Sequence, residues 1–427
     1  MQTSLPDEYR ATPVGQRADQ ILRSCVHCGF CNATCPTYQL LGDELDGPRG
    51  RIYLIKDMLE QQSVDRIAVT HLDRCLTCRA CETTCPSGVA YGELLEIGRN
   101  YQETHRRRGW FEAIRRSWLL RVVPDRRAFR RWAALGRLAG PFLGRRLRSQ
   151  LPRRSRQTQS VEAPASPIQK VLLLDGCVQQ VSTPAANNAL AALLSAGNIE
   201  VIRLADESCC GGLALHLGQD ADALATMGSN LDAIARVLDQ VDAVISTASG
   251  CGVTLKDYAR HLAGDAGRAT TALAFVDKVR DVGEFLVTLG WEWAAARDER
   301  RVAVHIPCTL QHGQRLGAEP GQILEAAGYE LVKTADPHLC CGSAGSYAIL
   351  QPELSEQLGA AKVAALGIDE PELIATANVG CQVHLGGLAD LPVVHWIELL
   401  RLREPQEAGQ PMSADTADTA DAADAAG

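Results

Sequence analysis

The chain has 427 residues, 46% of them hydrophobic, with a formal net charge of −8 and 16 cysteines. That length allows two or three domains around a sizeable core. No apolar run approaches the roughly 20 residues of a membrane span, and the polar stretch Met1 to Arg10 lacks a signal-peptide core. The expectation is a cytoplasmic protein, soluble or peripheral on the inner face of the membrane, whose reduced thiols favour metal ligation over disulfides.

Residues 1–105 carry two cysteine runs of identical spacing: Cys25, Cys28, Cys31, Cys35-Pro36 and Cys75, Cys78, Cys81, Cys85-Pro86. Both read C-x2-C-x2-C-x3-C-P, the ligand run of bacterial ferredoxins that hold two [4Fe–4S] clusters. Structural zinc shows paired C-x2-C knuckles instead of a triplet followed by a fourth Cys and Pro. Three thiolates three residues apart can converge on three corners of one cube. In the two-cluster arrangement the fourth reaches across to the other. This predicts one cluster on Cys25, Cys28, Cys31 and Cys85, and a second on Cys75, Cys78, Cys81 and Cys35. Between the runs, Gly50 to Glu60 has helical periodicity, and Asp19 to Ser24 leads in as a helix.

Residues 106–148 read as a basic helical connector. From Arg106 to Arg156 there are 17 Arg, no Lys and two acids, about +15, so the rest of the chain sums to about −23. Trp110, Phe111, Trp118, Phe129, Trp132 and Phe142 are interleaved with the arginines. Such a segment suits an anionic membrane surface or an acidic partner; a plain connector with a solvated Arg face is the simpler alternative. No recognition motif supports nucleic acid. Residues 149–169, rich in Pro, Ser, Gln and Arg, read as a linker.

Residues 170–402 contain an internal repeat. Cys177, the pair Cys209-Cys210 and Cys251 recur as Cys308, Cys340-Cys341 and Cys381, at offsets of 131, 131 and 130 residues. The copies span 170–300 and 301–402. Each opens on a buried-strand run, Lys170 to Cys177 and Arg301 to Cys308; further strands, Asp242 to Thr247 and Leu373 to Ala377, precede the last Cys. Helical stretches lie between, at Ala185 to Ala196, Ala221 to Leu238, Gly321 to Ala327 and Glu353 to Ala365. Alternating strands and helices predict an α/β fold with mainly parallel sheets, and in such sheets sites collect at the carboxyl ends of strands. Glycine follows each Cys pair and supplies the backbone freedom that two neighbouring thiolates on one metal require. The tail, 403–427, ends in Ala-Asp repeats and reads as disordered. The predicted whole is multidomain: a mainly helical ferredoxin-like α+β unit, a basic helical connector and a duplicated α/β domain.

The duplicated half resembles the cysteine-rich "CCG" domain of heterodisulfide reductase and its relatives. In the fullest form of that motif the last Cys belongs to a C-x-x-C pair; Thr254 and His384 stand there instead. The order of two ferredoxin runs and two CCG repeats is similar to that of the iron–sulfur subunits of membrane-linked flavin dehydrogenases, the glycolate oxidase family above all. The stretch from Cys25 to Arg51, and the segments His71 to Cys78, Pro307 to His312 and His338 to Gly345, carry that likeness. It implies flavin-bearing partner subunits that oxidise glycolate to glyoxylate, with D-lactate a further substrate. Electrons would pass through this chain to a quinone or other acceptor. FAD is expected on the partners only: the sequence has no G-x-G-x-x-G fingerprint and no phosphate loop.

Two alternatives stand beside this reading. One is a catalytic subunit that reduces a heterodisulfide or quinone at the CCG site; the other is the iron–sulfur subunit of a lactate or glycerol-3-phosphate dehydrogenase. The repeat cysteines Cys177, Cys209, Cys210, Cys251, Cys308, Cys340, Cys341 and Cys381 are candidates for a second redox site holding a further cluster or metal, against inert buried thiols. His305, His312 and His338 are candidate bases, while the apolar frame of His395 marks it as a core residue. His384 is a candidate ligand.

Overall fold

The computed structural model describes residues 1–140 and 162–403. Most of the linker, the end of the connector and nearly all of the tail therefore lie outside the described residues.

The N-terminal unit is built from helices around the two cysteine loops. Its helices α1 (Pro13–Ser24), α2 (Pro48–Gln61), α3 (Arg66–Asp73) and α4 (Tyr91–His105) bury one stripe each. Thr12 caps α1 by accepting from the Gly15 N–H, with Pro13 at the first helical position. Leu22, Ile55, Leu59, Leu94 and Leu95 form the core. Gly98 is what lets α4 approach α2, because a Cβ there would meet Ile55 at 2.8 Å.

The connector folds as two helices, α5 (Trp110–Val122) and α6 (Arg126–Ala139). Its arginines do not all face water. Arg116 joins Asp73 at 3.1 Å and Glu112 at 2.9 Å, and Arg108 joins Asp73, Glu103 and Glu112, which fixes the start of the segment to the N-terminal unit.

The duplication is explicit in the sheets. In the first copy β1 (Gln169–Leu174), β2 (Ile199–Ile202), β3 (Ala243–Ser246) and β4 (Val279–Asp281) lie parallel in the order β2-β1-β3-β4. They are joined by α7 (Ala185–Ala196), α8 (Asp220–Leu238), α9 (Ser249–Lys256) and α10 (Ala269–Lys278). Helix α11 (Val282–Leu289) and strand β5 (Trp293–Ala295) lead on to the second copy. There β6 (Arg301–His305), β7 (Glu330–Leu331), β8 (Leu373–Thr376) and β9 (Val393–His395) repeat the order as β7-β6-β8-β9. Their helices are α12 (Glu319–Ala326), α13 (Pro352–Leu366) and α14 (Val379–Gly386). Leu172 to Leu174 are buried on both faces, as central parallel strands require. Strands β4 and β9, too short for a periodic signal, were not legible in the sequence.

One hydrophobic core spans both copies. It joins Val171, Leu190 and Ile245 to Val302, Leu324, Leu373 and Trp396. A short antiparallel ribbon pairs β5 with β10 (Leu400–Leu402), closing the end of the second copy onto the end of the first.

Candidate metal centres

The two ferredoxin-type loops adopt the same backbone. His27 and Thr77, both before a cysteine, have φ of 57° and 54°; Gly29 and Arg79, both after it, have 84° and 59°. Three of these four are not glycine, so each loop holds left-handed residues at a cost of about 1–3 kcal/mol apiece. Such alternation turns successive N–H groups into one concavity, the kind of nest found at iron–sulfur and anion sites. Short helices then follow, Phe30–Ala33 and Ala80–Thr83.

The nests open on two cavities. One, of about 430 Å³, is lined by Cys25, Cys28, Cys31 and Cys85. The other, of about 290 Å³, is lined by Cys35, Cys75 and Cys78. Cys81 lines both and forms part of the wall between them. The prolines stand where each chain leaves its loop, so the fourth thiol of each run is carried to the other run's cavity. Burial, then the neighbouring Cys25, pushes the Cys31 thiol up to about 11. Burial, then Cys308, pushes Cys78 well up, and burial with Cys78 does the same to Cys81. Crowded buried thiols of this kind do not ionise together without a cation among them. The donor set, the nests and the cavities therefore fit two cubane clusters.

Sequence reasoning missed the groups behind these thiols. Arg51, on the inner face of α2, is 1% exposed. Its Nη1 lies 3.9 Å from Cys35 Sγ, its Nε donates to the His71 carbonyl at 2.8 Å, and Nη2 donates to Thr37 at 3.1 Å and Asp46 at 3.4 Å. Asp46, fully buried, also meets His71 Nδ1 at 2.9 Å and Arg74 at 2.9 Å. Tyr91 donates to Cys75 Sγ at 3.5 Å. The signal for Arg51 was present: it falls in register with Ile52, Ile55 and Leu59 on the buried stripe of α2.

The repeat cysteines gather at the carboxyl ends of their sheets. In each copy the chain order reverses between the two central strands, which is where α/β sheets open a crevice. Cys177 follows β1 and Cys251 follows β3; Cys308 follows β6 and Cys381 follows β8. The Cys pair of each copy reaches in from a loop. Its turn passes through Gly211 at φ 87° or Gly342 at φ 86°, where a Cβ would meet Met227 at 2.9 Å or the Ser355 carbonyl at 2.7 Å. The four thiols of each copy form a chain of contacts. In the first, Cys209 bonds Cys177 and Cys210, and Cys210 bonds Cys251. Cys210 accepts both bonds, which pushes its thiol down. In the second copy Cys308 and Cys340 are 3.6 Å apart, Cys340 bonds Cys341, and Cys341 and Cys381 are 3.3 Å apart.

These centres are not isolated from the N-terminal unit. Cys78 packs in one apolar cluster with Cys308, Cys340, Leu76 and Tyr347. Thr83 meets His312 Nδ1 at 2.9 Å, and His312 Nε2 meets the His338 carbonyl at 3.0 Å, so His312 serves as a strut across the junction. Arg79 pairs with Asp257 at 3.0 Å, and Arg99 donates to the His216 carbonyl at 3.1 Å, bolting the first copy to the same unit. His384 Nε2 meets the Ser355 carbonyl at 3.1 Å, and the ring also bonds the Cys341 backbone, so its nitrogens are engaged by main chain. Thr254 lies beside Gly212 and the Cys210 thiol.

Fold and thiols together define an iron–sulfur protein with a two-cluster unit joined to a duplicated cysteine-rich domain. Residues 21–89 match the "4Fe-4S dicluster domain", and residues 171–256 and 302–386 each match the "Cysteine-rich domain". The "Glycolate oxidase iron-sulfur subunit" of Escherichia coli (strain K12) is 44% identical over 94% of this chain and 98% of its own. The "Probable glycolate oxidase iron-sulfur subunit" of Bacillus subtilis (strain 168) is 32% identical over 89% and 93%. The chain belongs to the family of glycolate oxidase iron–sulfur subunits. Its overall fold is also shared, at a TM-score of 0.51 and 11% identity, by a hypothetical protein from Helicobacter pylori, over 91% of this chain and 72% of that one.

Proposed function

We propose that this chain is the electron-transfer subunit of an oxidoreductase complex whose flavin-bearing partners oxidise glycolate, and D-lactate as a further substrate. Cys25, Cys28, Cys31 and Cys85 hold one [4Fe–4S] cluster; Cys75, Cys78, Cys81 and Cys35 hold the other. Bound clusters supply one-electron chemistry, which splits the two-electron output of a flavin. The residues of the chain orient the thiolates, exclude water and set the local charge. The observation that carries this reading is the junction at Cys78. A thiol of the second cavity packs against Cys308 and Cys340 in the second repeat, so the sites follow one another through the molecule. At the outer end, Cys28 is exposed beside Val26 and Phe30, 67% and 61% exposed, a surface suited to a partner. Electrons leave to a quinone or other acceptor, and α5 and α6 rest on the inner face of the membrane.

The test is anaerobic rapid mixing of glycolate with the purified complex. The flavin should be reduced first, and the cluster absorbance of this chain should bleach after it. A complex in which the acceptor is reduced equally fast without this chain would sink the proposal.

A further inference from the structure

The two copies of the cysteine-rich half differ at one strand end beside their thiols. Leu174 closes β1 opposite Ser246 in the first copy; at the matching register His305 closes β6 opposite Thr376 in the second. A leucine serves that position in a buried parallel strand without any polar demand. His305 is 2% exposed, and its polar atoms therefore need partners. Nδ1 has one, Thr376 Oγ1 at 2.9 Å; Nε2 is buried with none. Leaving such a nitrogen unpaired carries its full desolvation penalty.

Two thiols lie close to the ring. A ring nitrogen of His305 and the Sγ atoms of Cys341 and Cys381 all lie within 4.8 Å of one another. Cys341 and Cys381 are 3.3 Å apart, Asn378 Nδ2 donates to Cys381 Sγ at 3.5 Å, and the thiol chain continues through Cys340 to Cys308. His384, at the position where the fullest motif has its last Cys, is spent on the Ser355 carbonyl.

We infer that His305 is a metal ligand: the second copy holds its centre with one imidazole and the thiolates of Cys341 and Cys381, extended by Cys340 and Cys308, while the first copy has Leu174 at the matching position and no ligand there. The ligand class fits. Sulfur with imidazole nitrogen suits zinc or iron, and Thr376 accepts from the second ring nitrogen, the outer contact that fixes a ligating histidine's tautomer. An imidazole in place of a thiolate removes one negative charge from the centre. If the metal is iron in a cluster, that substitution raises the potential relative to an all-thiolate site. The centre beyond Cys78 then becomes the downhill one.

The test uses the full chain, purified anaerobically, as wild type, His305→Leu and His305→Asn. Leucine reproduces the first copy; asparagine can keep the bond to Thr376 but is a poor ligand. Iron, acid-labile sulfide and zinc are measured per chain, and nitrogen coordination is read by pulsed EPR for iron or X-ray absorption for zinc. The wild type should hold metal beyond the about eight irons of the two cubanes and show nitrogen coordination. Both variants should lose at least five-fold of that excess while the eight irons stay. Zinc and iron each support the inference if the excess depends on His305. It is overturned if the wild type shows no excess metal, if its extra centre lacks a nitrogen ligand, or if His305→Asn keeps the full excess.

Discussion

Arg51 points its guanidinium at Cys35, Nη1 to Sγ at 3.9 Å, from a position that is 1% exposed. A fixed positive charge behind a thiolate does two things. It offsets part of the cost of burying the thiolate set, and it favours the reduced, more negative state of whatever that set holds. Asp46 balances Arg51 from the other side, so the pair is a buried ion network and not a lone charge. Removing one member of such a network costs about 3–5 kcal/mol, because the other is left uncompensated.

Arg51→Met should therefore lower the thermal midpoint and lose iron first from the cavity that Cys35 lines. Arg51→Lys keeps the charge but not the fork that serves His71, Thr37 and Asp46 together. It should retain iron with a smaller loss of stability. Iron per chain and the midpoint of unfolding check both; equal iron in wild type and Arg51→Met would remove this role.

The cavity linings make a sharper demand on the two runs. Cys35 faces the cavity of Cys75 and Cys78, while Cys31 faces that of Cys25 and Cys28. Cys35→Ser should thus deplete the centre of the second run, and Cys31→Ser that of the first. EPR of the reduced protein separates the two centres when each is removed in turn. If Cys35→Ser instead erases the same signal as Cys31→Ser, each run serves its own cluster.

The α5–α6 pair presents Trp110, Phe111, Trp132 and Leu138 at 65%, 66%, 50% and 77% exposure beside the exposed Arg127, Arg130 and Arg131. Among the described residues no helix is long and apolar enough to cross a membrane. Aromatic rings with arginines suit the interface instead, each basic residue adding about 1 kcal/mol near anionic lipid. Replacing Arg127, Arg130 and Arg131 by Glu should cut co-sedimentation with anionic vesicles at least ten-fold, and neutral vesicles should bind neither protein well. Unchanged sedimentation of the Glu variant would assign the hairpin to another surface.

The cysteines were legible because ligation imposes spacing, and a repeated spacing is rare by chance. The long helices α7, α8 and α13 and the central strands β1, β3, β6 and β8 were legible because their apolar runs exceed one turn or one pleat. The short strands β2, β4, β7 and β9 were not: β4, β7 and β9 have two or three residues and carry no period, and β2, though as long as β3 and β8, is only partly buried where they are buried throughout. The cation behind Cys35 needed the fold, because Arg51 and Cys35 are 16 residues apart and meet only when α2 docks. His305 is the instructive case. Aligning the copies by their cysteines sets it against Leu174, and that polar-for-apolar exchange at a strand end was readable. What it faced was not.

His395 supplies a pH-dependent lock between the copies. It is fully buried, its Nε2 donates to the Thr247 carbonyl across the duplication at 2.8 Å, and its Nδ1 accepts from the Ile397 N–H at 3.3 Å. Both nitrogens are satisfied only in the neutral ring. Burial, against the bond to Thr247, holds the pKa down to about 4 from 6.5. The unfolded chain therefore takes up this proton first as the pH falls, so stability from this site is complete above pH 6.5 and is lost progressively toward pH 4. The loss is about 1.4 kcal/mol per pH unit within that window and roughly 3 kcal/mol in all. His395→Gln can still reach the Thr247 carbonyl but does not titrate. It should be less stable than wild type at pH 8, and the gap in denaturant-unfolding free energy should narrow by roughly 3 kcal/mol between pH 7 and pH 4. Two curves that run parallel over that range would show that the lock is not the titrating ring.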